Sequence, residues 1–151
     1  MELKYDSLTL KNQLCFPLYL CSKEIIRRYT PLLNELNLTY TQYIVMMYFW
    51  EKKSSNVKEI GKTLLLDPST LTPLLKKLEN KGYITRVRAV DDERNLQVAV
   101  TNLGMELRDK ALEIPDKMWN CLGLSGEEAE ELYRLAYKVL TNVEEDMYGQ
   151  K

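Results

Sequence analysis

Histidine is missing from this chain altogether. Its absence removes the commonest general base and the commonest zinc ligand. The three cysteines, at positions 15, 21 and 121, include no pair spaced for a zinc site. Glycine is sparse, at six residues, and none of it forms a phosphate-cradling loop. An enzyme is therefore disfavoured, and no metal or cofactor is expected. The longest apolar run, Tyr43–Trp50, is eight residues and cannot span a bilayer. MELKYDSLTL has no basic stretch leading into an apolar core, so no signal peptide is expected. A cytoplasmic chain with reduced thiols follows, in which a lasting disulfide would be a signal and not a staple. A net charge of −1 gives no global attraction to nucleic acid, and only a local patch could supply one.

What is present reads as one mainly helical domain. At 151 residues, 45% hydrophobic and 28% charged, the chain can bury a core without covalent help. Leu10, Leu14, Leu18, Cys21 and Ile25 recur at helical spacing and predict a first helix over about 9–28. Thr30-Pro31 reads as an N-cap followed by a first-turn proline, opening a short helix to about Leu36. Thr39-x-x-Gln42 is a capping-box pattern opening a third, largely buried helix over about 40–52. Val57, Ile60 and Leu64 share a helical face. Asp67-Pro68 caps the next helix, whose Leu71, Leu74, Leu75 and Leu78 form an i, i+3, i+4, i+7 stripe ended by Gly82. The period then changes to two: YITRVRAV and LQVAVT alternate as strands around the charged turn DDERN. A helical stretch kinked at Pro115 follows. A second capping box, Ser125-x-x-Glu128, opens a last helix with the stripe Leu132, Leu135, Ala136, Val139, Leu140 and Val143.

Helix, turn, helix and hairpin is the order of a winged helix-turn-helix, in which the second helix enters a major groove of DNA. Its outer face here carries Ser69, Thr70, Thr72, Pro73, Lys76 and Lys77, suited to base edges and phosphates. Arg86 and Arg88 follow on the first strand, and Arg94 at the hairpin tip could reach a minor groove. From Thr70 to Val90 there are five basic residues against one acid, a local charge of +4; from Ser125 to Met147 seven acids face two bases, −5. Lys76 and Lys77 read equally well as a solvated face. The flanking helices carry more apolar stripe than one small winged lobe can cover. A two-fold dimer is expected, with its reading helices ~34 Å apart on double-stranded DNA of pseudo-palindromic sequence.

DERNLQVAVTNLG, with Asp92-x-Arg94, Thr101 and Gly104, resembles the wing signature of MarR-family regulators. LDPSTLTPLLKKLENKGYITR resembles their recognition helix. QLCF, Tyr29 and LTYTQYIV resemble a narrower, peroxide-sensing branch that includes the OhrR-type, SarZ and MgrA regulators. The resemblance covers nearly the whole chain. It implies a winged lobe over about 38–101 and dimerisation helices over about 8–36 and 102–147. It also implies a redox sensor: Cys15 as the reactive thiol, Tyr29 and Tyr40 as hydroxyls reaching it across a dimer interface, and an organic hydroperoxide as effector. Phenols that donate to a thiolate favour the charged form, which attacks peroxide to give a sulfenic acid. Some members carry a second cysteine in the region of Cys121 that resolves the sulfenic acid into an intersubunit disulfide. Otherwise a low-molecular-weight thiol would cap Cys15. Release from DNA, hence repression, is the implied output.

Blander readings stand beside these. Cys15 could be an inert core thiol. Tyr29 and Tyr40 could be ordinary packing, and Asp92 and Arg94 could pair to shape the turn. Cys21 is expected in the core; six residues from Cys15, ~9 Å along a helix, it is too far for a disulfide. A repressor released by a small aromatic ligand, or less readily a thiol peroxidase, would use the same fold. Pro17 is a departure from the branch. In a helix interior it would cost ~3 kcal/mol. A break at residues 13–17, with the regular helix restarting near Phe16, would instead place Pro17 in a first turn and Cys15 near a helix N-terminus, which favours an anion.

Overall fold

The computed structural model describes residues 2–88 and 96–148, and in it the chain divides into two compact units, Met1–Ile114 and Pro115–Lys151. Two 3-10 turns, Glu2–Leu8 and Leu10–Asn12, precede the first α-helix, α1, Cys15–Asn34. Then follow α2 (Tyr40–Lys52), β1 (Ser54–Asn56), α3 (Val57–Leu64), α4 (Pro68–Asn80), β2 (Ile84–Arg88), β3 (Leu96–Val100) and α5 (Asn102–Lys110). Helix α6 (Ile114–Leu122) leads into the second unit, which ends with α7 (Gly126–Tyr148). The mainly helical winged fold expected from the sequence is the one observed.

In the first unit α2 is the central helix. Its Tyr43, Val45, Met46 and Phe49 are buried, and it packs against α1, α3, α4, α5, β1 and β3. Both halves of the predicted capping box form: Thr39 Oγ1 accepts from Gln42 N–H, and Gln42 Oε1 accepts from Thr39 N–H. The α4 stripe, Leu71, Leu74, Leu75 and Leu78, is buried against this centre. After α4, Gly82 takes φ 78°. Gly82 N–H then bonds Glu79 O at 2.8 Å and Tyr83 N–H bonds Leu78 O at 3.1 Å, the Schellman pattern that positive φ makes available. It turns the chain directly into β2.

The sheet is antiparallel with order β1-β3-β2; Ser54 pairs with Ala99, and Ile84 with Val100. β2 alternates as expected: Ile84 is buried and Arg86 half-buried on one face, while Thr85 and Val87 are exposed on the other. β1 has no counterpart in the sequence expectations. Its three residues, Ser-Ser-Asn, hold no apolar alternation, and the strand exists because β3 offers it an edge.

Three helix boundaries differ from expectation. Thr30-Pro31 does not open a helix but lies inside α1. A proline there deletes one backbone bond, and the helix runs on because Leu33 beyond it is buried at 1% exposure and Tyr29 before it packs against Tyr40. Pro115 does not kink a continuous helix; a turn at residues 111–113 separates α5 from α6, and Pro115 occupies the first turn of α6, where its missing N–H costs little. The first helix starts at Cys15 and not near residue 9, with Gln13 extended at φ −101°, ψ 105°. That break falls within residues 13–17, and Pro17 becomes the third residue of α1.

Candidate nucleic-acid interface and thiol site

The helix pair α3–α4 is set by tight local geometry. Leu65 ends α3 in the left-handed region at φ 51°. A Cβ on Gly61 would lie 2.9 Å from Leu66 O, so this turn needs glycine for its close approach. Asp67 caps α4, accepting from Thr70 N–H at 3.0 Å and from the hydroxyls of Ser69 and Thr70. These bonds hold the Asp67 carboxyl below its ordinary pKa, the Ser69 hydroxyl first. Ser69 and Thr70 thus shape the helix start as well as lining its outer face.

All six outer-face residues of α4, Ser69, Thr70, Thr72, Pro73, Lys76 and Lys77, are exposed. Arg88 is exposed on β2. Arg86 is different: its Nε and Nη2 donate to Glu79 Oε2 at 2.9 and 2.6 Å, and its side chain is only 19% exposed. It fastens β2 to α4 and is not a free cation on the surface. Asp92 and Arg94 lie outside the described residues.

The thiols are placed as follows. Cys15 is the first residue of α1 and is exposed. An open cleft of about 550 Å³ is lined by Leu10, Leu14, Phe16 and Pro17 together with Lys11, Asn12 and Gln13; it takes in both sequence neighbours of Cys15 but not Cys15 itself. Cys21, expected in the core, is exposed. Within α1 burial is confined to Leu33, because its contact with α2 lies at the far end of the helix. Cys121 is exposed on α6. Among the described residues no cluster of three or more His, Cys, Asp or Glu could hold a metal ion, and no helix is long and apolar enough to cross a membrane.

Tyr29 and Tyr40 do meet. Their ring centroids are 4.8 Å apart, and Tyr43, missed in the sequence reading, completes a triad at 5.9 and 6.5 Å. Tyr43 signalled itself only as the tyrosine three residues after Tyr40. Burial pushes the pKa of all three phenols up, and mutual proximity adds to this for Tyr29 and Tyr43. They therefore stay protonated and able to donate. The structure does not bring them to Cys15 within one chain: fourteen residues of helix, ~21 Å, separate Cys15 from Tyr29.

The comparisons with known proteins agree with this architecture. The family model described as transcriptional regulator SarA/Rot matches residues 27–111. The organic hydroperoxide resistance transcriptional regulator of Bacillus subtilis (strain 168) is 44% identical over 144 residues, 95% of this chain and 96% of that protein. The chain belongs to the SarA/Rot family of MarR-type transcriptional regulators. As such it is a DNA-binding regulator and not an enzyme. HTH-type transcriptional regulator SarZ of Staphylococcus saprophyticus is 48% identical over 124 residues, 82% of this MarR-type chain and 85% of SarZ. The reduced, DNA-bound structure of AbfR from Staphylococcus epidermidis superposes with TM-score 0.77 at 29% identity, covering 95% of this chain and 99% of that one. The disulfide-formed structure of AbfR gives a TM-score of 0.65 at 30% identity, covering 92% and 98%.

Proposed function

We propose that this MarR-type regulator is a cytoplasmic homodimeric repressor that leaves its DNA when an organic hydroperoxide oxidises Cys15. The observation that carries the reading is the placement of Cys15: exposed, at the first residue of α1, between Leu14 and Phe16, which help line an open cleft. A helix N-terminus favours an anion such as a thiolate. The similarity to a regulator named for organic hydroperoxide resistance supports the same effector.

The chemistry balances without a cofactor. The thiolate attacks the outer peroxide oxygen and the O–O bond breaks; the alkoxide takes a proton from solvent and leaves as the alcohol, and Cys15 becomes a sulfenic acid. The protonated hydroxyls of Tyr29 and Tyr40, reaching across the dimer, lose an anionic acceptor and meet a larger neutral group. The sulfenic acid then condenses with a second thiol, releasing water. That thiol is Cys121 of the partner subunit or a low-molecular-weight thiol, and non-reducing gels of peroxide-treated protein separate the two.

In the dimer, residues of about 8–36 and 102–147 pair the chains. The exposed apolar side chains Leu18, Leu132, Val139 and Val143 are the surface available for that pairing. The winged lobe, about 38–101, reads a pseudo-palindromic duplex through α4 with Thr72, Pro73, Lys76 and Lys77. Asp92 and Arg94 are assigned to the wing contact from sequence alone. A shift of the paired α4 helices that cost ~3 kcal/mol of affinity would lower binding more than a hundredfold.

The test is a DNA shift assay on the region upstream of the chain's own gene, with an organic hydroperoxide, on wild type and Cys15→Ser. Release of the wild type with retention of the variant is expected. Release of both would replace oxidation of Cys15 with a different trigger, such as a bound aromatic ligand.

A further inference from the structure

The corner between α1 and α2 is pinned from the end of α4. Asn37 in that corner takes a left-handed conformation at φ 54°, which asparagine tolerates better than most residues. Its carbonyl accepts a 2.6 Å bond from Lys81 Nζ, and the same ammonium donates to Gln42 Oε1 at 2.9 Å. Gln42 is buried, and its Oε1 also closes the α2 capping box by accepting from Thr39 N–H. Two residues on, Tyr83 Oη donates to Leu36 O at 3.4 Å. The corner so held carries Tyr29 in the last turns of α1 and Tyr40 as the first residue of α2. Lys81 is the C-cap of α4.

A lysine just beyond a helix end usually extends into water. Here the ammonium is turned inward onto two neutral oxygens, and among the described residues no carboxylate pairs with it. Burial, then the neighbouring Lys77, lowers its pKa, so the site holds a charge that its surroundings disfavour. Its bonds reach across 44 and 39 residues of sequence and join the tyrosine corner to the helix that reads DNA. The opposite side of the same junction is also tied: Thr101 Oγ1 donates to Gly82 O at 2.6 Å, and Thr101 N–H to Tyr83 O at 3.0 Å. A displacement of the corner cannot be absorbed at residues 81–83 while these bonds hold.

We propose that Lys81 is a positioning residue that couples the Tyr29–Tyr40 corner to α4, through its bonds to Asn37 and Gln42. Oxidation at the thiol moves the corner, and Lys81 carries that movement to the reading helix. This rests on the redox reading above. Without Lys81 the corner moves alone, and oxidation costs less DNA affinity.

The experiment measures the affinity of the reduced and the hydroperoxide-treated dimer for one duplex, selected from a random library by the reduced wild type. The readout is the ratio of the two dissociation constants. A merely structural role would weaken both states alike and leave the ratio unmoved. Wild type is expected to lose more than a hundredfold on treatment with cumene hydroperoxide. Lys81→Met is expected to lose less than tenfold, and Lys81→Arg, which keeps a charged donor, to recover most of the wild-type ratio. If Lys81→Met does not fold, Lys81→Gln, which removes the charge and shortens the side chain that reaches Asn37 O and Gln42 Oε1, is read on the same ratio; a fall of threefold or more is expected. A wild-type ratio in either Lys81→Met or its substitute overturns the coupling role. A wild type that keeps its DNA on oxidation overturns the redox reading and the coupling with it, and is seen before any variant is scored.

Discussion

Replacing Gly104 by alanine should destabilise the chain even though the site is helical. Gly104 lies in the first turn of α5, where intrinsic propensity favours alanine by about 1 kcal/mol. An alanine Cβ there would sit 2.1 Å from Tyr83 O and 2.8 Å from Val100 Cγ2. The first distance is ~1 Å or more short of ordinary non-bonded contact, and the atom it meets is backbone, which cannot rotate away. The start of α5 must therefore part from the α4–β2 junction. Doing so stretches Thr101 N–H to Tyr83 O, at 3.0 Å, and Thr101 Oγ1 to Gly82 O, at 2.6 Å. It also moves Gly104 O, which accepts from Trp50 Nε1 at 2.9 Å. Overpacking of this kind costs up to about 3 kcal/mol, and one lost hydrogen bond about 1 kcal/mol more. Set against the propensity gain, the net loss is about 3 kcal/mol, and at this chain length roughly 6–12 °C of melting temperature. Thermal unfolding followed by far-UV circular dichroism, at one fixed chain concentration because a dimer's melting point depends on it, reads the change. Gly126→Ala is the control: its Cβ meets nothing within 4 Å. A Gly104→Ala protein that melts at or above the wild-type temperature would refute the close approach of α5 to Tyr83.

Other outcomes follow from the same geometry. Pro17→Ala restores an N–H and lets α1 extend backwards past Cys15; the thiol then leaves the first turn, and its reaction with an organic hydroperoxide should slow about two- to fivefold in stopped-flow measurements. Lys76→Ala should weaken DNA binding and lower the slope of log affinity against log salt by about 0.9. Arg86→Gln should leave that slope nearly unchanged, because Glu79 already neutralises the guanidinium, and should instead lower stability by about 1 kcal/mol in urea unfolding. The three clustered phenols have raised pKa values, so their folded-state contribution is fully present below the ordinary tyrosine range and is lost as pH rises through the raised values. Urea unfolding measured across pH should find stability flat to about pH 9 and falling above about 10.

Most of the reading lobe was legible because its signals are local. Asp67-Pro68, the leucine stripe of α4 and Gly82 each state a backbone requirement that neighbours in sequence satisfy. The strands β2 and β3 announce themselves by alternation. β1 does not, because Ser54–Asn56 owes its conformation to a partner more than forty residues away. Thr30-Pro31 carries the local signature of a helix start, and only the burial of Leu33 and the contact of Tyr29 with Tyr40 decide otherwise. Pro17 was readable because its restriction acts on its own turn. Cys21 was misplaced because a helical stripe says which residues share a face and not what covers it. Lys81 was counted as one more basic residue; that its ammonium points back to Asn37 depends on where two distant elements meet.

In the proposed mechanism, oxidation of Cys15 is the event that releases DNA. It is tested most directly by titrating the DNA-bound dimer with cumene hydroperoxide while following fluorescence anisotropy of the duplex and the intact mass of the protein in the same samples. Release is expected to rise in step with loss of the Cys15 thiol, as the one-oxygen adduct or as the disulfide that follows it, and to end near one equivalent of oxidant per chain. Release that runs ahead of any change at Cys15, or full oxidation of Cys15 with the duplex still bound, would contradict it.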